Sequence, residues 1–231
     1  MENYTITIAR GFGSGGKEIA SRVAKDMGIH CYENRILTLA AQMSGIDRQL
    51  FEEVNEKLHE SRRNGLINML NALPRRTHPQ PEHRAFISDE QLFAYETQII
   101  LELAKTESCI IVGKCADWIL RDNQRTLSLY IEAPRSFCRP RIMKKMGVTA
   151  ETADISITET DKYRAEYYAH YTNGNYWTNP VNYDLTLNSE RLGIDRCVEL
   201  IEYTLHSKFP DVPLPDKKTD IQEKDESDNV D

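Results

Sequence analysis

The chain has 231 residues, 40% of them hydrophobic and 28% charged, which suits one domain with a sizeable core and leaves two full domains cramped. It has no run of about 18 apolar residues, and Met1 to Arg10 lack the charged start and long apolar stretch of a signal peptide; the expectation is a cytoplasmic protein without a membrane partner. The net charge of −7 argues against nucleic acid as a partner, but Pro210 to Asp231 carries eight acidic and three basic residues, so the body is only about −2 and keeps room for a positive cleft.

Taken in order, Tyr4-Thr-Ile-Thr-Ile-Ala9 alternates β-branched residues and predicts a strand, which the four glycines between Gly11 and Gly16 break. In Lys17 to Met27 the residues Ile19, Ala20, Val23, Ala24 and Met27 recur at helical spacing, and Gly28 offers a stop. Further strands are predicted at Ile29 to Tyr32, Cys109 to Gly113, Thr126 to Glu132 and Tyr183 to Asn188, with helical patterns at Leu92 to Lys105 and Ile194 to Leu205. Strands alternating with helices predict a doubly wound α/β fold, a five-stranded parallel sheet covered on both faces.

Two segments fit the sheet poorly. Glu60 to Ser88 is rich in Arg, His and Pro, and Ala150 to Pro180 is polar and tyrosine-rich; both read as insertions over the sheet's edge, either a binding loop and lid or solvated helical hairpins. After Phe209 the chain is polar and charged, and a disordered acidic tail over 210–231 is expected. The five cysteines are scattered and form no C-x-x-C pair, so reduced thiols are expected, and no metal site made of protein ligands.

Gly11-Phe-Gly-Ser-Gly-Gly-Lys17 satisfies the G-x-x-x-x-G-K pattern in the strand-to-helix context that pattern requires. Gly11, Gly13, Ser14, Gly15 and Gly16 let successive amides curl inward at the positive end of the next helix, which suits phosphate oxygens. Lys17 would supply a mobile positive charge to the β and γ phosphates of a nucleotide. ATP with Mg²⁺ is the expected cofactor. Glu18 stands where a Ser or Thr hydroxyl commonly meets Mg²⁺; it either points outward or meets the ion through water.

The whole pattern resembles the cytidylate kinase-like family, a branch of the nucleoside monophosphate kinases with a P-loop NTPase fold. The resemblance rests on Ile8 to Ala20, Ile110-Ile-Val-Gly-Lys-Cys-Ala-Asp117, Thr160-Asp-Lys-Tyr-Arg-Ala-Glu-Tyr-Tyr168 and Asn182-Tyr-Asp-Leu-Thr-Leu-Asn188. It implies a monophosphate-binding insertion, a lid over about 137–180, and transfer of the ATP γ-phosphoryl group to a nucleoside monophosphate, CMP or dCMP by the family's name. Gly113-Lys114 stands where related kinases have Gly-Arg, so Lys114 is implied as an acceptor contact that lacks arginine's bidentate fork. Glu33 follows the second strand, where relatives place an acid against the acceptor. Asp117 is implied either in ribose or magnesium-water contact or in capping a helix.

In the lid-like segment Asp161, Lys162 and Arg164 match part of the family's charged pattern. Asp161 is assigned to the acceptor, and Lys162 and Arg164 clamp the transferring phosphoryl group; a solvated charged helix face is the plainer reading. Arg139 and Arg141 follow the fourth strand and would meet the same phosphates, with Pro140 between them disfavouring a regular helix. Arg35, Arg75, Arg76 and Arg84 are candidates for the acceptor phosphate. The aromatic group Tyr163, Tyr167, Tyr168, Tyr171, Tyr176 and Trp177 either stacks on a base or, as favoured here, packs the lid. The expected partners are small-molecule nucleotides. Two other functions fit the same residues: a nucleotide sensor with little turnover, and a kinase of a non-nucleotide metabolite.

Overall fold

A computed structural model describes residues 2–33, 36 and 89–215. Within them, five strands form one parallel sheet: β1 (Thr5–Arg10), β2 (His30–Tyr32), β3 (Cys109–Val112), β4 (Thr126–Glu132) and β5 (Leu185–Asn188), in the order β2-β3-β1-β4-β5. Ile6 pairs with Ile110 on one side and Leu127 on the other.

Alternate residues along each strand serve different faces, because successive side chains of a strand point to opposite sides. Ile6, Ile8, Ile110, Val112, Leu127, Leu129 and Ile131 form one core with α1 (Gly16–Met27) and the C-terminal helix Ile194–Lys208. On the opposite face Cys109 and Ile111 meet Leu92, Ile99 and Ile100 of α2 (Asp89–Thr106). The sheet is therefore doubly wound, as the alternation of elements predicts. Chain connections leave β1 toward β2 on one side and reach β4 on the other, so a crevice opens beyond the carboxyl ends of β1, β3 and β4, the usual ligand position in such sheets.

Short helix α3 (Ala116–Ile119) follows β3, and α4 (Arg135–Met146) and α5 (Ala150–Tyr171) follow β4. Two short elements, the 3-10 turn Pro180–Asn182 and α6 (Ser189–Leu192), flank β5, and α7 is the C-terminal helix Ile194–Lys208.

The structure corrects three expectations. Pro140 lies inside a continuous helix, α4; it falls in the second turn, where its missing N–H deprives only the carbonyl of exposed Ser136. Ala150 to Pro180 is mostly one 22-residue helix rather than a helical hairpin, and its polar sequence reflects a helix whose inner face meets charged groups. The tail does not begin at 210: Val212 is 1% exposed, its carbonyl meets the His206 ring, and Asp211 pairs with Arg125 at 2.8 Å. The remainder, 216–231, lies outside the described residues, as do the insertion 60–88 and Arg35, Arg75, Arg76 and Arg84. A chain ending at Phe209 is expected to be less stable than one ending at Pro215 by about 1.5 kcal/mol from the valine alone, measured by urea unfolding of the two truncations.

Candidate active site

Gly11 to Lys17 leaves β1 and enters α1 as a curled loop. Gly13 at φ +94° and Gly15 at φ +85° take the left-handed backbone that turns amides inward. Side chains pin the loop from three directions. Ser14 is buried and its hydroxyl donates to the Gly11 carbonyl at 2.9 Å, while the Ser189 hydroxyl at the start of α6 donates to the Ser14 carbonyl. Beneath, the Glu132 carboxylate accepts from the Tyr130 hydroxyl and from the Ala133 N–H at 2.9 Å, and it fills the space that a side chain on Gly11 would need.

The third direction is α5. Asp161 accepts the Phe12 N–H at 2.8 Å, and Arg164 donates to the Arg10 carbonyl at 2.9 Å. Burial raises the Asp161 carboxyl above its ordinary range against the pull of Arg164 and the Phe12 amide. Farther along the same face, Tyr167 donates to Glu96 at 2.8 Å and Tyr168 to Asp117 at 2.6 Å. Positions 161, 164, 167 and 168 lie at helical spacing on one side of α5, so one helix closes over the ends of β1 and β3.

Two chambers result among the described residues. An outer cleft of about 820 Å³ is lined by the phosphate loop, Lys17, Glu18, Ser21, and Arg141, Lys144 and Lys145 of α4. A second space of about 240 Å³, the inner chamber, adjoins it, between Gly113 to Cys115, Asp117, Thr160, Tyr163, Tyr167, Tyr168 and Trp177. Arg10, Glu33 and Arg164 line both and form the partition. Glu33 bridges two cations there, with Lys17 Nζ on one oxygen and Arg10 Nη2 on the other at 3.2 Å. Burial alone would raise its carboxyl, but Lys17 and Arg10 hold it below the usual carboxylate range.

The sequence-predicted residues separate on this geometry. Gly11, Gly13, Gly15, Gly16, Lys17, Glu18, Glu33, Arg141 and Arg164 converge on the outer cleft, and Lys114 and Asp117 line the inner chamber. Glu18 does not turn into the loop; it pairs with Arg141 at 2.7 Å. Asp161 is spent on the Phe12 amide, a loop-positioning contact rather than an acceptor contact. Lys162 is exposed on α5 and lines neither chamber, because it stands two positions before Arg164 and residues at that spacing point to different helix faces. Arg139 is likewise turned away from Arg141 and holds Asp154 of α5 at 2.8 Å.

Lys114 is tethered. Its ammonium meets the fully buried Glu96 at 2.8 Å, and the backbone from Gly113 through Cys115 takes positive φ at three successive residues, 79°, 59° and 53°. Such conformations cost free energy in residues with a Cβ and are kept where packing imposes them. In the aromatic group, Tyr168 and Trp177 are buried among Ala9, Cys115, Tyr130 and Tyr183, and Tyr171 stacks on Phe93 at 3.9 Å, so these pack α5 on the body, as favoured from sequence. Tyr163 and Tyr167 face the inner chamber, and Tyr176 is exposed.

Arg10, Glu96, Glu132, Lys144 and Lys145 were not legible as site residues. Glu96 carried a signal, since it is the one acid in the apolar stripe Leu92, Ile99 and Ile100 of its helix. Lys144 and Lys145 stand three and four residues after Arg141, the spacing that shares a helix face.

A model of the cytidylate kinase-like family matches residues 5–191. The chain is 21% identical to a cytidylate kinase of Thermococcus sibiricus over 211 residues, covering 89% of this chain and 90% of that protein. It is 25% identical to a cytidylate kinase of Methanopyrus kandleri over 204 residues, 87% of this chain and 92% of that one. In fold it is similar to an uncharacterized protein from Eubacterium ventriosum whose crystal structure is known, with a TM-score of 0.65, 23% identity, and coverage of 89% of this chain and 99% of that chain.

Proposed function

Because the chain belongs to the cytidylate kinase-like family, we propose that it moves the γ-phosphoryl group of ATP to a nucleoside monophosphate, with CMP or dCMP as the acceptor. One observation supports this reading above the rest. A phosphate-loop cleft and a second chamber share a partition of Arg10, Glu33 and Arg164, which is the arrangement a direct transfer between two bound molecules requires.

In-line phosphoryl transfer asks little covalent chemistry of the protein; positioning and charge neutralisation carry it. The loop amides and Lys17 hold the donor's β and γ phosphates. Arg141, Lys144 and Lys145 add positive charge along the outer wall, and Arg164 reaches the γ-phosphoryl group from the partition. Among the described residues no three His, Cys, Asp or Glu side chains come together to hold a metal ion. Mg²⁺ bound with the ATP phosphates would neutralise phosphate charge, and Glu18 would meet it through water only on leaving Arg141. The inner chamber takes the acceptor, with Lys114, Asp117 and Tyr163 on its walls.

The test is ADP release with ATP, Mg²⁺ and each of CMP, dCMP, UMP, AMP and GMP. Turnover with a cytidine acceptor supports the reading; tight ATP binding with no turnover would replace it with nucleotide sensing. In the same assay Lys162→Ala is expected to stay within about twofold of wild type because its side chain is solvated. Arg164→Ala should lose about 10²-fold in kcat, the order seen when one charge-stabilising donor is removed. Equal losses in the two variants would contradict the placement of α5.

A further inference from the structure

Arg10 stands just before the phosphate loop, outside the G-x-x-x-x-G-K pattern itself. It is the last residue of β1, and its side chain is 17% exposed. The guanidinium reaches sideways from β1 to the end of β3, where Nη1 stands 2.5 Å from the point that a Cβ on Gly113 would occupy. Gly113 therefore leaves the room in which Arg10 lies. On its other side Nη2 donates to Glu33, and its own carbonyl accepts from Arg164.

Three cations and two carboxylates meet at the partition, with the Glu132 carboxylate beneath Gly11 as the next acid. Lys17, Arg10 and Arg164 face Glu33 and Asp161, and Asp161 also serves the Phe12 amide. Burial, and next the charge of Arg10, push the Arg164 guanidinium down to about 10. Two guanidinium groups held together away from water repel unless an anion joins them. The anion that suits this place is compact, carries several oxygens, and touches both chambers.

We propose that Arg10 is a catalytic residue that, with Arg164, grips the phosphoryl group as it crosses from the outer cleft to the inner chamber. The proposal rests on the phosphotransferase reading. In the step, the bond from the terminal phosphorus to the bridging oxygen of ATP breaks, and its electron pair stays on ADP. A bond forms from the same phosphorus to an ionised phosphate oxygen of the acceptor, so no proton moves. Arg10 keeps its proton throughout and neutralises charge on the transferring oxygens.

The experiment uses the full chain as wild type, Arg10→Lys, Arg10→Gln and the double variant Arg10→Gln/Glu33→Gln. Calorimetry gives the affinities for ATP and ADP with Mg²⁺, and ADP release with the acceptor panel gives kcat and KM. Arg10→Gln should lower kcat by about 10²-fold and acceptor KM by far less. It should leave ADP affinity near wild type while cutting the preference for ATP over ADP about tenfold. Arg10→Lys should fall between, keeping the charge without the fork. The double variant removes both members of the ion pair, so it folds without an unpaired buried charge and tests the role even if Arg10→Gln is unstable. If Arg10 only balances Glu33, the double variant regains the preference for ATP over ADP that Arg10→Gln loses, and the proposal is overturned. Wild-type kcat and an unchanged ATP preference in Arg10→Gln overturn it too. Should the wild type turn over no acceptor, the phosphotransferase reading fails by itself, and Arg10 is judged on nucleotide affinity. Loss of the ATP preference then supports its grip on the terminal phosphoryl group; a retained preference, or none in the wild type, refutes it.

Discussion

Replacing Lys17 by alanine is expected to lower turnover by about 10³-fold, at the upper end for loss of one charged donor at a developing charge, and to weaken ATP binding markedly. Lys17 is the only cation whose backbone is part of the phosphate loop, and its side chain is 62% exposed toward the outer cleft. Its present partner is Glu33, so nucleotide phosphates must draw the ammonium away from that carboxylate. Stability should change by less than about 1 kcal/mol, because an ion pair with one member this exposed contributes little and Glu33 keeps Arg10. ATP titration and ADP release, run on both proteins beside a thermal melt, check all three statements. Unchanged affinity and turnover in the variant would sink the phosphate-loop assignment.

Gly13→Ala is expected to damage the fold and the site together. At φ +94° an L side chain is strained, and the added Cβ would lie 2.8 Å from Cys138 Cβ and 3.1 Å from the Cys138 Cα and carbonyl oxygen. Two of those atoms are α4 backbone, which cannot swing aside as a side-chain end can. Left-handed strain costs roughly 1–2 kcal/mol, and overpacking adds about 1–3 kcal/mol, so a loss near 3 kcal/mol is expected in urea unfolding. Gly28→Ala is the control. Gly28 also has positive φ, +66°, but nothing lies within 4 Å of its added Cβ, so it should lose only the strain. Equal losses would mean that α4 yields freely to the loop.

The elements with strong local patterns are legible in the sequence. Thr126 to Glu132 forms a strand over the predicted span, and Gly28 ends α1 in the left-handed conformation that its position after Met27 suggested. The phosphate loop was legible because its chemistry depends on backbone shape, and glycine spacing encodes backbone shape directly. What stayed hidden depends on side chains meeting across the chain. Arg10 and Gly113 are a hundred residues apart, and nothing local says that one guanidinium needs the other's missing Cβ. Lys162 and Arg164 look equivalent in a charged run, and only the rotation of α5 separates them. Lys114 keeps its charge in sequence, yet the buried Glu96 decides where that charge is held.

The contacts of α5 carry a thermodynamic consequence. Asp161 satisfies a phosphate-loop amide at one point of the helix, while Tyr167 and Tyr168 fix its other end against the acidic groups of the inner chamber. A donor phosphate that competes for the Phe12 amide must work against the same helix that walls the second substrate. If both chambers bind ligands as proposed, the free energy of filling one would depend on whether the other is filled, and linkage would make that dependence equal in both directions. On the proposed reading, donor and acceptor would share one equilibrium, each setting the other's affinity through a single rod of backbone.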